Sequence, residues 1–284
     1  MVTVVAETVP TPVIVVGVDG SASALGAVAV AAAEARLLAY PLEVVHAFVW
    51  TELRVPQGSA ATGSGAPGLR HEAERVVAEA VEVARRAAPD VAVTGRVVPG
   101  APAPVLLRAS VDSALVVVAD RGLGGFTGLL VGSVAVALVT HGRCPVLVVR
   151  GRPEPHGPVV VGVDGSDAAT AATELALAFA AAHGSTLRAV MIASSGADAG
   201  VLDRALRHHD PRGVTVVRVV VEGDARQALI AESRGASLVV VGSRGRGGFA
   251  GLLLGSVSQA VLHHADCPVA VVPRLAGQQR LVTS

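Results

Sequence analysis

Val16-Gly17-Val18-Asp19-Gly20-Ser21 recurs as Val161-Gly162-Val163-Asp164-Gly165-Ser166, an offset of 145. Working outward, Gly124-Gly-Phe-x-Gly-Leu-Leu-x-Gly-Ser-Val134 recurs as Gly247-Gly-Phe-x-Gly-Leu-Leu-x-Gly-Ser-Val257, now at an offset of 123. Cys144-Pro-Val recurs as Cys267-Pro-Val at the same 123. Fixed-period self-similarity is the mark of a repeated unit. The chain is therefore two colinear copies, the first longer by 22 residues that fall within 51–95. We expect domains at 1–150 and 158–284, with the proline-rich 151–157 as linker. The Gly-, Ser- and Ala-rich stretch Pro56–Gly68 reads as a surface loop.

Short Val-rich runs alternate with helical stretches in each copy. In the first the runs are Val13–Val18, Leu42–Val49, Val91–Val98, Leu115–Val118 and Val146–Val149. Helices are predicted over Ala22–Ala39, Leu69–Ala88, Val105–Val111 and Val131–Thr140. The second copy repeats the scheme, with strands near Val159, Leu187, Val214, Leu238 and Val269. Continuous apolar strands between helices predict a parallel sheet covered on both faces. The fold class is α/β, two tandem doubly wound domains of five strands each.

Composition narrows the function. All 23 basic residues are Arg, which removes the P-loop lysine, Schiff-base lysines and lysine bases at once. Net charge is zero and aromatics are 2% of the chain, so the basic face and interleaved aromatics of a nucleic-acid binder are missing. The first ten residues have no basic region and carry Glu7, a poor signal peptide. No apolar stretch approaches the roughly 18 residues that span a bilayer. Two cysteines are too few for a disulfide scaffold. The expectation is a cytoplasmic protein with no membrane or nucleic-acid partner.

In open α/β sheets, ligands bind beyond the carboxyl ends of strands where the strand order reverses. Two loops suit that place. Asp19-Gly20-Ser21 and Asp164-Gly165-Ser166 follow the first strand of each copy, with Asp facing the crevice, although Asp-Gly-Ser is also an ordinary strand-to-helix turn. The second loop follows strand 4. In the second copy it reads Gly242-Ser243-Arg244-Gly245, then nine residues, then Gly255-Ser256 opening a helix. Glycines admit close backbone approach, the helix N-terminus offers unpaired N–H groups and partial positive charge, and Arg244 and Arg246 suit phosphate. It is neither a Walker A loop nor a dinucleotide fingerprint, since no Gly-Lys exists and the glycines follow strand 4.

Gly242-x2-Gly245-x9-Gly255-Ser256, with Val-Gly-Val-Asp-Gly-Ser and Cys-Pro-Val, resembles the ATP-binding branch of the universal stress protein family, here as two domains in tandem. The resemblance implies strand order 3-2-1-4-5 and ATP at the ends of strands 1 and 4. In the second half it implies Asp164, Val163 and Ile192 on the base and ribose side, closed by Val241 and Gly242. Arg244, Gly245, Gly255, Ser256 and Val257 would surround the phosphates. In the first half the matching residues are Val18, Asp19, Ala47, Val118, Gly122, Gly132, Ser133 and Val134. The first half departs from the pattern: Ala119, Asp120 and Leu123 stand for Gly242, Ser243 and Arg246. Alanine is costly at that position if it needs positive φ or close approach, and the first cradle is the more negative.

A triphosphate held by arginines and backbone donors also calls for Mg²⁺. The resemblance further implies pairing through the last strands, in a homo-oligomer or an intrachain pseudo-dimer. A regulatory ATP binder, not an enzyme, is expected; the alternative is a slow ATP hydrolase or nucleotidyl-transferring enzyme. His141 and His264 lie eight residues after the motif serines, roughly 12 Å along a helix, too far for a Ser–His pair. The cysteines read as buried, inert thiols.

Overall fold

The computed structural model describes residues 12–48, 65–123, 131–193, 202, 206, 213–245 and 254–273. The first half runs β1 (Val13–Val18), α1 (Ala22–Leu37), β2 (Leu42–Phe48), α2 (Gly65–Ala87), β3 (Val93–Pro99), α3 (Pro102–Ala109), β4 (Ser113–Ala119), α4 (Ser133–His141) and β5 (Val146–Val149). The second runs β6 (Val159–Gly162), α5 (Asp167–His183), β7 (Leu187–Ala193), β8 (Val216–Glu222), α6 (Ala225–Glu232), β9 (Leu238–Gly242), α7 (Ser256–His264) and β10 (Val269–Val272).

Within each half every strand pairing is parallel. The order β3-β2-β1-β4-β5 is the expected 3-2-1-4-5, and the second half repeats it. β4 shows why: six of its seven residues are buried, so a helix layer must cover each face. Two apolar clusters result, one under α1 and α5 and one under α3, α4, α6 and α7. In the repeated motif, a Cβ on Gly17 would sit 2.6 Å from Leu106 Cδ1, and one on Gly162 3.0 Å from Leu229 Cδ1. Those glycines let α3 and α6 lie close on the sheet.

The halves share one ten-stranded sheet, because β5 and β10 pair antiparallel. Leu147 faces Ala270, and these are equivalent positions of the repeat. A pseudo-twofold axis therefore passes through that pair. The apolar last strands cover each other, and the outer edges fall to β3 and β8, which carry exposed Arg96 and Arg218.

Some element boundaries differ from expectation. Gly65–Gly68, expected as loop, are the first residues of α2; the rest of that stretch, Pro56–Ser64, lies outside the described residues. The third helix starts at Pro102 rather than Val105, because a proline at the first helical position loses no hydrogen bond. The segment 151–157 is fastened to the second half: Arg152 N–H donates to Asp266 O at 2.7 Å and Glu154 N–H to Ala236 O at 3.1 Å. A Cβ on Gly151 (φ 60°) would sit 2.1 Å from Asp266 O.

Arg150 opens that segment and spends its guanidinium on the far end of α7. Nη2 donates to His263 O at 3.0 Å, and Nη1 to the carbonyls of Ala265 and Val261. Burial lowers its pKa, and the charges of Asp120 and Asp266 oppose that.

Candidate nucleotide-binding site

The strand order reverses between β1 and β4, and between β6 and β9. At the carboxyl ends of these pairs the chain leaves through Asp19-Gly20-Ser21 and the loop from Asp120, and through Asp164-Gly165-Ser166 and the loop from Ser243. Gly20 (φ 88°) and Gly165 (φ 76°) take a backbone region that side chains disfavour. Ser21 and Ser166 then cap α1 and α5 by accepting the N–H of Ala24 and of Ala169.

The aspartates do not stand free in the crevice. Asp19 Oδ1 accepts Ser21 N–H at 3.0 Å, and Oδ2 accepts Leu123 N–H at 2.7 Å. A Cβ on Gly122 would sit 2.1 Å from Asp19 Oδ2. In the second half Asp164 Oδ1 accepts Ser166 N–H at 2.9 Å, and a Cβ on Gly245 would sit 2.2 Å from Asp164 Oδ2. Asp19 thus ties its two loops together, Asp164 packs against the second loop at Gly245, and in each half a glycine leaves room for the carboxylate.

The cradle itself is a helix start. Gly132 and Gly255 are the N-caps of α4 and α7, in extended backbone, and neither helix has a side-chain cap. The first turns begin at Ser133 and Ser256, both exposed, and the glycine N-caps supply no side-chain acceptor to their N–H groups. Gly132 N–H donates to Asp120 O at 2.6 Å and Gly255 N–H to Ser243 O at 2.8 Å, so each cradle is closed onto the loop that precedes it.

The remaining predicted residues surround these loops. Val18, Val118, Val163 and Val241 are buried at strand ends, so they offer a ligand mainly backbone. Ala47 and Ile192 occupy matched, partly exposed places near the ends of β2 and β7. Val134 and Val257 are partly exposed in the first turns of α4 and α7. Gly242 and Arg244 lie at the end of β9 and just beyond it, both partly exposed. Arg246 is outside the described residues. His141 and His264 end α4 and α7, opposite the cradles. Cys144 and Cys267 are buried, and burial pushes both thiols up to about 12.

Ala119 stands where the second half has Gly242. Gly242 does not have positive φ; its demand is close approach, since a Cβ would lie 2.8 Å from both the carbonyl carbon and Cβ of Ala168. The equivalent of Ala168 is Ser23, which is exposed and donates from Oγ to Arg121 O at 2.9 Å.

Two residues were not anticipated. His46 Nδ1 lies 2.8 Å from Val18 O. A carbonyl only accepts, so that nitrogen carries the proton. His46 ends the buried stripe Leu42, Val44, a polar break that period-two reading of β2 exposes. Its counterpart is Met191. Ser258 Oγ donates to Gly242 O at 2.6 Å, pinning the second cradle's loop to α7; Ala135 stands there in the first half.

The family model for the universal stress protein family matches residues 11–150 and 194–273. The chain belongs to the universal stress protein family. A universal stress protein of Mycobacterium tuberculosis is 35% identical over 285 residues, covering 91% of this chain and 95% of its own. Another, from Mycobacterium bovis, is 34% identical over 291 residues, covering 91% and 96%. The crystal structure of a universal stress protein from Archaeoglobus fulgidus superposes with a TM-score of 0.76 at 20% identity, covering 94% of this chain and all of that one. That likeness supports the universal stress protein fold as a tandem. Among the described residues of this universal stress protein, no helix is long and apolar enough to cross a membrane.

Proposed function

We propose that this universal stress protein binds ATP in both halves, at the carboxyl ends of β1 and β4 and of β6 and β9, and acts as a cytoplasmic regulatory protein. The observation that carries the reading is the pair of helix starts at Gly132 and Gly255. Both open at the topological switch point on a glycine N-cap, where first-turn N–H groups and the helix dipole suit a phosphate group. Gly132, Ser133, Val134, Gly255, Ser256 and Val257 would hold the phosphates by backbone and hydroxyl donors, with Arg244 adding charge in the second half.

Among the described residues no cluster of three His, Cys, Asp or Glu side chains could hold a metal. Mg²⁺ would therefore arrive on the triphosphate rather than on a protein cage. The reading is of binding rather than turnover. Asp19 and Asp164 are the carboxylates that recur at the site, and both accept backbone N–H groups that fix loops.

The two sites should differ. The second has Met191, Gly242, Ser243 and Ser258 where the first has His46, Ala119, Asp120 and Ala135. A unit negative charge about 4 Å from another costs roughly 1 kcal/mol in water and about 4 at an effective dielectric of 20, so Asp120 alone supports a tenfold preference for the second site. Calorimetry with Mg·ATP on the full chain tests this, with Gly132→Asp and Gly255→Asp each closing one cradle. Two binding events, the tighter lost in Gly255→Asp, support the reading. No heat of binding, and no nucleotide released from the purified protein in mass spectrometry, overturns it.

A further inference from the structure

The two outer edges of the sheet, β3 and β8, are equivalent strands of the repeat, yet only one is protected. The carbonyl of Ala92 accepts from Leu42 N–H, and that of Thr215 accepts from Leu187 N–H. Backbone direction alternates along a strand. The outward set is therefore Val93, Gly95, Val97 and Pro99 on β3, and Val216, Arg218, Val220 and Glu222 on β8.

On β3 that set resists a further strand. Pro99 has no N–H to donate, and a Cβ on Gly95 would sit 2.5 Å from Val77 Cγ1, so α2 lies close against this edge. Val97 is partly buried. On β8 the matched residues do the opposite. Glu222 replaces Pro99, and Arg218 replaces Gly95. Val220, the match of Val97, is 54% exposed, and Val217 is 37% exposed.

A lone edge charge repels a second copy of itself, but Arg218 and Glu222 are placed to attract one. Both are exposed, and they stand symmetrically about Val220. We propose that β8 is a self-association edge, which pairs antiparallel with β8 of a second copy about a twofold axis at Val220. In that register Arg218 of each copy lies opposite Glu222 of the other, and Val219 lies opposite Val221. Outward residues meet outward residues, as the ladder requires, and Val220 exchanges both hydrogen bonds with its own duplicate. Moving the register one step in either direction sets Val220 opposite Arg218 or Glu222. Charge and hydrocarbon thus choose the same alignment. Arg218 also interacts within its own chain, and its five N–H donors leave room for a second carboxylate. The sheet would then run through two copies, by the same antiparallel pairing that joins β5 to β10.

Analytical ultracentrifugation of the full chain without nucleotide tests this. The concentration series should reach the millimolar range, since a seven-residue edge is a small, reversible contact. A monomer–dimer equilibrium is expected. Arg218→Glu and Glu222→Arg should each weaken it about tenfold or more, because two attractive cross-strand pairs become repulsive. Combining the two reversals should restore it to within about threefold, which also shows that the single variants fold.

Glu222→Pro separates backbone pairing from charge. It installs the residue that the first half carries before an equivalent glycine, Gly100 (φ 134°) for Gly223 (φ 113°), so β8 keeps its path and loses an outward N–H. The dimer should disappear. A chain that stays monomeric throughout, or a dimer that Glu222→Pro and both reversals leave intact, overturns the inference. Loss in the single reversals that the combined variant does not rescue overturns it as well.

Discussion

His183 Nε2 lies 2.9 Å from Glu34 Oε2 and 3.1 Å from Oε1, joining the last turn of α5 to α1 across the two halves. Both groups are largely shielded, with the Glu34 side chain 10% and the His183 side chain 27% exposed. Their repeat equivalents are Phe179 and Leu38, both in the apolar core. One contact type therefore bridges the halves in ionic form here, while its equivalents in the repeat are hydrocarbon.

Donation from Nε2–H to the Glu34 carboxylate raises the His183 pKa above the ordinary 6.5, against burial, which lowers it. A raised imidazole contributes stability that is complete below the unfolded value and is lost as pH rises through the folded one. As pH rises from the ordinary imidazole range through the raised folded value, the chain should lose more stability than Glu34→Gln does. Chemical denaturation at several pH values measures the difference. Parallel pH profiles for the two proteins would count against the pair.

Removing one partner should hurt more than removing both. His183→Leu leaves the Glu34 carboxylate buried without its proton donor, at a cost of about 3 kcal/mol, whereas Glu34→Leu with His183→Leu should fall within about 1 kcal/mol of the parent. A double-mutant cycle from urea unfolding reads both numbers.

Ala39, after α1, adopts φ 57°, while its repeat equivalent Gly184 adopts φ 60° after α5. Both follow helix ends where glycine carries no steric penalty. Gly184 has open space around a would-be Cβ, so the conformational term acts there without a clash. Ala39→Gly should stabilise by about 1 kcal/mol, and Gly184→Ala should destabilise by a similar amount. Thermal unfolding of the two variants should shift in opposite directions.

Gly242→Ala forces a Cβ against the backbone of Ala168 at the start of α5. It should cost about 1–3 kcal/mol and loosen the second cradle. Ala119→Gly, where α1 already accommodates a methyl, should change first-site affinity less than twofold. Equal effects of the two substitutions in calorimetry and unfolding would show that the close approach at Gly242 is unimportant.

Much of the architecture is legible in the residues. Repeat offsets and Val-rich periodicity yield the strand count, and the doubly wound rule places Asp19, Asp164 and the loops after β4 and β9 at one end. The carboxylates' actual work is not legible, because Asp19 reaches Leu123 across 104 positions and no local pattern encodes that bond. Ala119 reads as a possible φ problem only because sequence cannot say how near α1 or α5 comes to the strand. Arg150, Glu34 and His183 are silent for the same reason: their partners lie in the other copy. Ser258 and His46 stand out only as polar residues on otherwise apolar faces.

Leu147 opposite Ala270 has a consequence for how copies of this chain recognise themselves. Two separate, identical domains meeting on an axis must place a residue against its own duplicate, large on large or small on small. Here the central contact is a bulky side chain seated against a methyl. A first half meeting another first half would set Leu147 against Leu147, and two second halves would leave Ala270 facing Ala270 over a gap. Overpacking and an unfilled void each carry a penalty, so the seam favours its own other half over a stranger's like half.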